Sequence, residues 1–129
     1  MSHFSTIKTK LKNKPQLVEA LELLQYEVKE DQELRVTGNH GINHETVEAE
    51  VAIAKDIGFR MNPMSGNYEL VTDLETWNQP IPVERFMDKV TQQYARMTLH
   101  NTAKDMGFEV AEEWEMDDGS IELVVNRWI

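Results

Sequence analysis

Residues 47–54 read VEAEVAIA, and the alternation of apolar and acidic side chains with which they begin decides the fold class. The positions predicted to point inward are Val47, Ala49, Val51 and Ile53, and the outward ones are Glu48 and Glu50. Successive side chains of a β-strand point to opposite faces of its sheet. The stretch therefore predicts a strand with one face against an apolar core and the other in solvent.

Further strand patterns lie on both sides of this stretch. Residues 57–61 (IGFRM) and 67–74 (NYELVTDL) flank a Ser-Gly-Asn turn at 65–67. Toward the N-terminus, residues 26–36 (YEVKEDQELRV) are typical of a hairpin, with an acidic turn between two short strands. Residues 2–11 (SHFSTIKTKL) alternate again and predict the first strand. Strands this close in sequence favour antiparallel pairing.

Two segments have helical rather than strand spacing. Leu17, Leu21 and Leu24 recur at helical intervals just after Pro15, a residue that the first turn of a helix tolerates. A longer helix is predicted from about residue 83 to residue 106. Its apolar stripe comprises Val83, Phe86, Met87, Val90, Tyr94 and Met97.

The end of the chain predicts a second hairpin, because Asp118-Gly119 is a strong two-residue turn signal between 108–116 (FEVAEEWEM) and 121–128 (IELVVNRW). Residues 23–36 and 105–125 share a pattern: a helix end, an aromatic-Glu-Val strand, an acidic turn and a strand that begins Glu-Leu-x-Val.

The chain thus reads as two strand–helix–strand–strand modules with an extra hairpin between them. We predict an α+β fold: a mostly antiparallel sheet with two helices on one face, in a single domain over residues 1–129.

Charge is unevenly distributed along the chain. The net charge is −10, yet the first 14 residues hold four lysines and no acid, which leaves 9 basic and 23 acidic groups for the rest. An acidic body repels phosphate backbones, so nucleic-acid binding is disfavoured and a basic protein partner is favoured. There is no cysteine, no apolar run long enough for a membrane span and no secretory signal. We expect a cytoplasmic protein that does not enter a membrane.

The stretch GNHGINH (38–44) carries the candidate metal ligands, His40 and His44. A His-x3-His pair binds zinc when a helix places both rings on one face, but the two glycines here favour a loop. A polar turn is the preferred interpretation, so the sequence predicts no metal and no cofactor.

Two charged groups are candidates for docking a partner. The acidic group consists of Glu112, Glu113, Glu115, Asp117 and Asp118. Within a strand, Glu113 and Glu115 share one face while Glu112 points with Trp114. The basic group consists of Lys8, Lys10 and Lys12. Solvated strand faces would also explain both groups.

No catalytic motif stands out. The chain lacks a Gly-x-Ser-x-Gly elbow, a glycine-rich phosphate loop and a His-Glu-x-x-His helix. The sequence nominates no catalytic residue and favours a protein that is not an enzyme.

Several segments resemble one family over nearly the whole chain: MSHFSTIKTKLKN, DIGF, YELVTDL, QPIPVERFMDKVTQQYA, NTAKDMGFEVAEE and DGSIELVVNRW. The family is that of hypothetical chloroplast open reading frame thirty-five, found in cyanobacteria and in the plastids of some algae. The resemblance implies a cytosolic or stromal protein of unknown function, with a link to ATPases of the AAA type as partners. It supplies no catalytic residue.

The chain departs from the family pattern at two places. Residues 38–41 are Gly-Asn-His-Gly instead of Gly-Tyr-x-Gly, and Gln25 replaces a glycine that usually ends the first helix. A left-handed helix cap is less comfortable with glutamine, whereas Gly107 still serves the second helix.

The leading hypothesis is a small non-enzymatic adaptor or accessory subunit that docks on a larger assembly. The alternative is an enzyme or ligand-binding domain with a cleft between the two modules, lined by Glu and His side chains with Tyr68 or Tyr94. A third, nucleic-acid binding through the basic group, would require steep salt dependence. Free hairpin edges leave a homodimer open.

Overall fold

The computed structural model describes residues 3–37 and 44–127. Its elements are β1 (Ser5–Lys8), α1 (Lys14–Leu23), β2 (Lys29–Thr37), β3 (His44–Ala54), β4 (Ile57–Met61), β5 (Tyr68–Thr72), α2 (Val83–Asp105), β6 (Phe108–Glu115) and β7 (Ile121–Arg127). His40 lies outside the described residues, and of His44 only the backbone is described. The metal hypothesis at these histidines stays a prediction.

The strands form two antiparallel sheets. One has five strands in the order β1-β5-β4-β3-β2, and the other consists of β6 and β7 alone. The α+β prediction is confirmed. The second sheet is separate because the β6–β7 hairpin contacts α2 and pairs with no strand of the first sheet.

The prediction of a hairpin at residues 26–36 is wrong. The acidic run does not reverse the chain, because Asp31 takes a positive φ of 54° inside a continuous strand. Pairing with β3 keeps its register on both sides of it, from Glu30↔Val51 to Gln32↔Ala49. A long neighbouring strand offers more backbone hydrogen bonds than an isolated acidic turn would. The strand–helix–strand–strand order still occurs twice, as β1–α1–β2–β3 and β5–α2–β6–β7, with only β4 between.

The β3 strand buries Ala49 and Val51 as predicted, but it also buries Ala52 and so contributes to two apolar clusters instead of leaving one face in solvent. Val51 packs with the helices, whereas Ala49 packs with Leu34 and Val71. The second half of β2 lies close to the end of β3, where the Arg35 N–H donates to the Lys55 carbonyl at 2.8 Å.

Gly58 makes this close approach feasible. A Cβ there would lie 2.7 Å from the Val51 carbonyl oxygen and 3.0 Å from both Ala49 Cβ and Leu34 Cδ1. Any side chain would therefore push the hairpin away from the sheet.

The two helices cover the other face of the five-stranded sheet, as predicted. Leu17 and Leu21 of α1 and Phe86 and Val90 of α2 share one buried cluster with side chains of the sheet, namely Val51, Ile57, Phe59, Tyr68 and Leu70. The Phe86 ring contacts three others: its centroid lies 5.3 Å from Tyr26, 5.4 Å from Trp77 and 6.4 Å from Phe59.

Both helices are followed by a residue with a positive φ, although the first of these residues is not a glycine. Gln25 has a φ of 73°, and its N–H donates to the Glu22 carbonyl while the Tyr26 N–H donates to that of Leu21. This is the Schellman arrangement, which needs a left-handed residue after the cap. Gly107 (φ 80°) occupies the matching position after α2.

Replacing Phe86 with alanine should remove the ring that joins α2 to the sheet. We expect the free energy of unfolding to fall by about 3–5 kcal/mol, the usual cost of emptying a fully buried aromatic site. Urea titration followed by circular dichroism measures it. Leu99→Ala is the control, because Leu99 is on the same helix but 39% exposed, and a comparable loss there would contradict the assignment.

Gln25→Gly should stabilise the protein by roughly 0.5–1 kcal/mol. A residue with a Cβ costs about 1–2 kcal/mol in the left-handed conformation, and glycine avoids this cost. Part of the gain is offset because glycine loses more conformational entropy on folding. Gly107→Ala should have the opposite sign. Thermal unfolding of both variants checks the pair. A destabilised Gln25→Gly protein would show that the glutamine side chain contributes more than its backbone strain costs.

Candidate functional site

The inner face of the β6–β7 hairpin is attached to α2 by one charged cluster. Arg96 holds Glu113 with both ends of its guanidinium, from Nε to Oε1 at 2.7 Å and from Nη2 to Oε2 at 2.5 Å. His100 Nε2 lies 2.8 Å from the same Oε1. Arg96 and His100 are four residues apart on one helix and so share a face. Glu113, one of the predicted docking residues, thus makes its contacts within the molecule.

Two opposing effects act on the pKa of Glu113. Burial against the helix raises it, but the hydrogen bonds from Arg96 and His100, with their charges, outweigh burial and lower the pKa below its ordinary value of 4.5. The carboxylate is therefore ionised at neutral pH, as a bidentate pair with arginine requires.

The hairpin turn is also tied to α2. Gln92 Nε2 donates to Glu115 Oε1 at 2.9 Å and to the Gly119 carbonyl at 3.0 Å. Glu115 thus lies on the same face as Glu113, as predicted. At the tip, Asp118 accepts hydrogen bonds from the Ser120 hydroxyl and N–H, which lower the pKa of Asp118.

The outer face of the hairpin presents an exposed aromatic residue among acids. Trp114 is 55% exposed and lies opposite Glu122, and Glu112 lies opposite Val124. Cross-strand partners share a face, so these four side chains form one patch, which we call the outer patch. Exposed Met116 and Glu109 extend it at either end.

The basic group is split by the structure. Lys8 and Lys10 line a groove of about 880 Å³ between β1, α2 and the β6–β7 turn, with Asp117 and Asp118 on its far side. Lys12 is exposed but does not line the groove.

The prediction of which side chains line the cleft between the two modules is wrong. The groove contains neither a Glu nor a His side chain. Tyr68 is buried in the core, and the Tyr94 hydroxyl accepts a hydrogen bond from the Asn13 N–H at 3.0 Å. Both rings pack in the cluster beneath the helices, where an amphipathic side chain buries its apolar body.

Sequence reasoning missed Arg85 and Lys89, which add two cations to the groove from α2. Their spacing of four was visible, but only the tertiary structure brings this side of α2 next to β1. Within 3–37 and 44–127, no cluster of three or more His, Cys, Asp or Glu side chains could hold a metal ion. No helix in the same ranges is long and apolar enough to cross a membrane.

The molecule is an α+β protein in which a helix carries a separate β-hairpin beside an antiparallel sheet. A profile of the family described as "Protein of unknown function (DUF1257)" matches residues 20–124. The chain belongs to this family.

Relatives that match almost end to end carry the name "Uncharacterized protein ycf35". The protein from Guillardia theta is 36% identical over 99% of this chain and 98% of its own length, and that from Cyanophora paradoxa is 35% identical over the same shares. The protein from Pyropia yezoensis is 43% identical over 56% of this chain and 55% of its own length. No solved structure gives a significant match.

Glu113→Gln should lower the free energy of unfolding at pH 7 by roughly 1–2 kcal/mol, because it weakens charge-assisted hydrogen bonds that are partly screened by solvent. The folded pKa is depressed, so the wild-type carboxylate contributes stability above its unfolded pKa and loses it as the pH falls through the folded value.

The difference between wild type and Glu113→Gln should therefore be full above pH 4.5 and shrink below it. Denaturant titrations across this range measure it. Glu112→Gln removes the same charge from the outer patch and should change little. A pH-independent difference between wild type and Glu113→Gln would contradict an ionic origin.

Proposed function

We propose that the protein is a small non-enzymatic adaptor that docks on a larger protein assembly through the outer patch. The supporting observation is the exposure of Trp114 in the midst of Glu112 and Glu122. Tryptophan is enriched among the residues that dominate binding energy at interfaces, and it occupies a pocket of the partner when buried. An exposed ring held in place by a strand suits this role.

The acids around the ring specify the partner. Carboxylates at the rim of an interface speed association with a basic surface and repel acidic ones. The partner we propose has an apolar pocket surrounded by lysine or arginine. Symmetric pairing of two copies through their outer patches does not fit this description, because both copies would present carboxylates to each other.

The inner face of the hairpin supports the same role. Arg96, His100 and Gln92 attach the hairpin to α2 through Glu113 and Glu115. A binding element fixed in advance loses less conformational entropy when it docks. The residues that orient the patch are thus separate from the residues that would touch a partner.

The finer proposal is that the partner is an ATP-driven assembly of the AAA type, in the cytoplasm or the plastid stroma, as the family resemblance implies. The alternative, an enzyme or small-ligand-binding domain, is favoured by the groove beside β1. The charged side chains around that groove, four cations and three carboxylates, suit binding better than acid–base chemistry.

Capture of the tagged protein from its native extract, with and without ATP, tests the proposal. We expect one stoichiometric protein partner, whose affinity falls roughly thirtyfold with Trp114→Ala, since the loss of a central interface residue costs about 2 kcal/mol. Recovery should also fall with Glu112→Lys, because the reversal places a cation at the rim, opposite the basic surface of the partner. A change of recovery with nucleotide would identify the partner as ATP-driven.

Two controls accompany these variants. Met64→Ala removes another exposed apolar side chain, 94% accessible and remote in sequence from the hairpin. Glu19→Lys repeats the charge reversal on exposed α1. Equal losses in control and test variants, or a protein recovered alone in both conditions, would overturn the proposal.

A further inference from the structure

The groove beside β1 is a second surface with its own chemistry. Residues 7–10 form one wall, α2 from Arg85 to Ala95 forms another, and the β6–β7 turn at 117–120 closes the end. Trp114 does not line it. The groove is therefore a surface separate from the outer patch.

The first wall is the free edge of a β-strand. β1 is the outermost strand of its sheet and pairs on one side with β5, from Ser5↔Thr72 to Lys8↔Glu69. No other strand in the described ranges covers the opposite side. Such an edge presents unpaired backbone N–H and C=O groups, which a peptide can extend by strand addition.

Side chains on the two sides of β1 differ in chemistry. Lys8 and Lys10 are exposed on one side, whereas Ile7 and Thr9 are half-buried on the other. Across the groove, the apolar side chains of Met87 and Ala95 on α2 contribute to the lining. A strand added at this edge would meet lysines with every second side chain and an apolar surface with the others.

The groove has more cations than carboxylates, four against three (Asp88, Asp117 and Asp118), although the protein as a whole is acidic. Lys8, Lys10, Arg85 and Lys89 line it, and none of them makes an ion pair with any residue that the structure describes. The net charge of the protein is −10. Four cations left without intramolecular partners in an acidic protein favour an anionic occupant.

We propose that this groove binds an extended peptide in which acidic residues alternate with apolar ones, added as a strand to the free edge of β1. The acidic side chains meet Lys8 and Lys10, and the apolar ones lie between β1 and α2. Residues 85–95 of α2 rise about 15 Å. An extended peptide spans that distance with about five residues.

Charge also separates a peptide from a nucleic acid as occupant. Asp88, Asp117 and Asp118 line the same groove, Asp117 and Asp118 at its turn end. A peptide can place a neutral or basic residue there, whereas a continuous phosphate backbone would meet these carboxylates. The acidic body adds to that repulsion.

Fluorescence anisotropy with a fluorescein-labelled peptide of about eight residues, alternating glutamate with valine, measures the binding directly. We expect saturable binding that weakens roughly tenfold with Lys10→Glu and with Lys89→Glu, because each reversal turns an attraction into a repulsion. Ala95→Trp should block the groove without a change of charge. Lys12→Glu is the matched control, since Lys12 is exposed outside the groove.

Two altered probes isolate the strand addition. A peptide of the same composition with its glutamates and valines in two separate blocks should bind more weakly, as should one with alternate backbone nitrogens methylated. Equal binding of these probes, an equal effect of Lys12→Glu, or tighter binding of a labelled single-stranded oligonucleotide would each overturn the proposal. Unchanged binding by Ala95→Trp would place the peptide elsewhere on the protein.

Discussion

Packing of the Phe86 ring against Tyr26, Phe59 and Trp77 joins α2 to the sheet and to the segments beside the two helices. It fixes α2 against the sheet, and α2 in turn carries the side chains that hold the β6–β7 hairpin. One buried aromatic cluster therefore determines where the outer patch lies and how wide the groove beside β1 is. A shift of α2 would move both candidate surfaces together, because each has α2 as a wall or as a support.

Charge serves two purposes in this molecule. Some charged groups pair within the molecule, as Arg96 and Glu113 do. This pair helps to hold the hairpin on α2, because a small hairpin makes few apolar contacts. Others face solvent, with carboxylates around Trp114 and an excess of cations over carboxylates along β1 and α2. The two surfaces thus differ in charge, and complementary charge favours different binding partners for each.

Much of the fold could be read from local patterns. The β4–β5 and β6–β7 hairpins and the extent of α2 were predicted because a glycine turn or a long apolar stripe specifies each within a few residues. The error at residues 26–36 has a physical origin. An acidic run between short apolar stretches is typical of a turn. Here pairing with the long β3 strand keeps β2 extended, and only Asp31 within it takes a positive φ.

Local patterns and composition specify every described helix and strand except β2, the antiparallel α+β class and the excess of negative charge, because periodicity, turn residues and composition are local or additive properties. Only the tertiary structure decided that Glu113 is an internal ligand of Arg96 and that Lys10 faces a groove shared with Lys89. These roles depend on which side of α2 faces each neighbour. That orientation is set by packing around Phe86, between residues far apart in the chain, and no local pattern contains it.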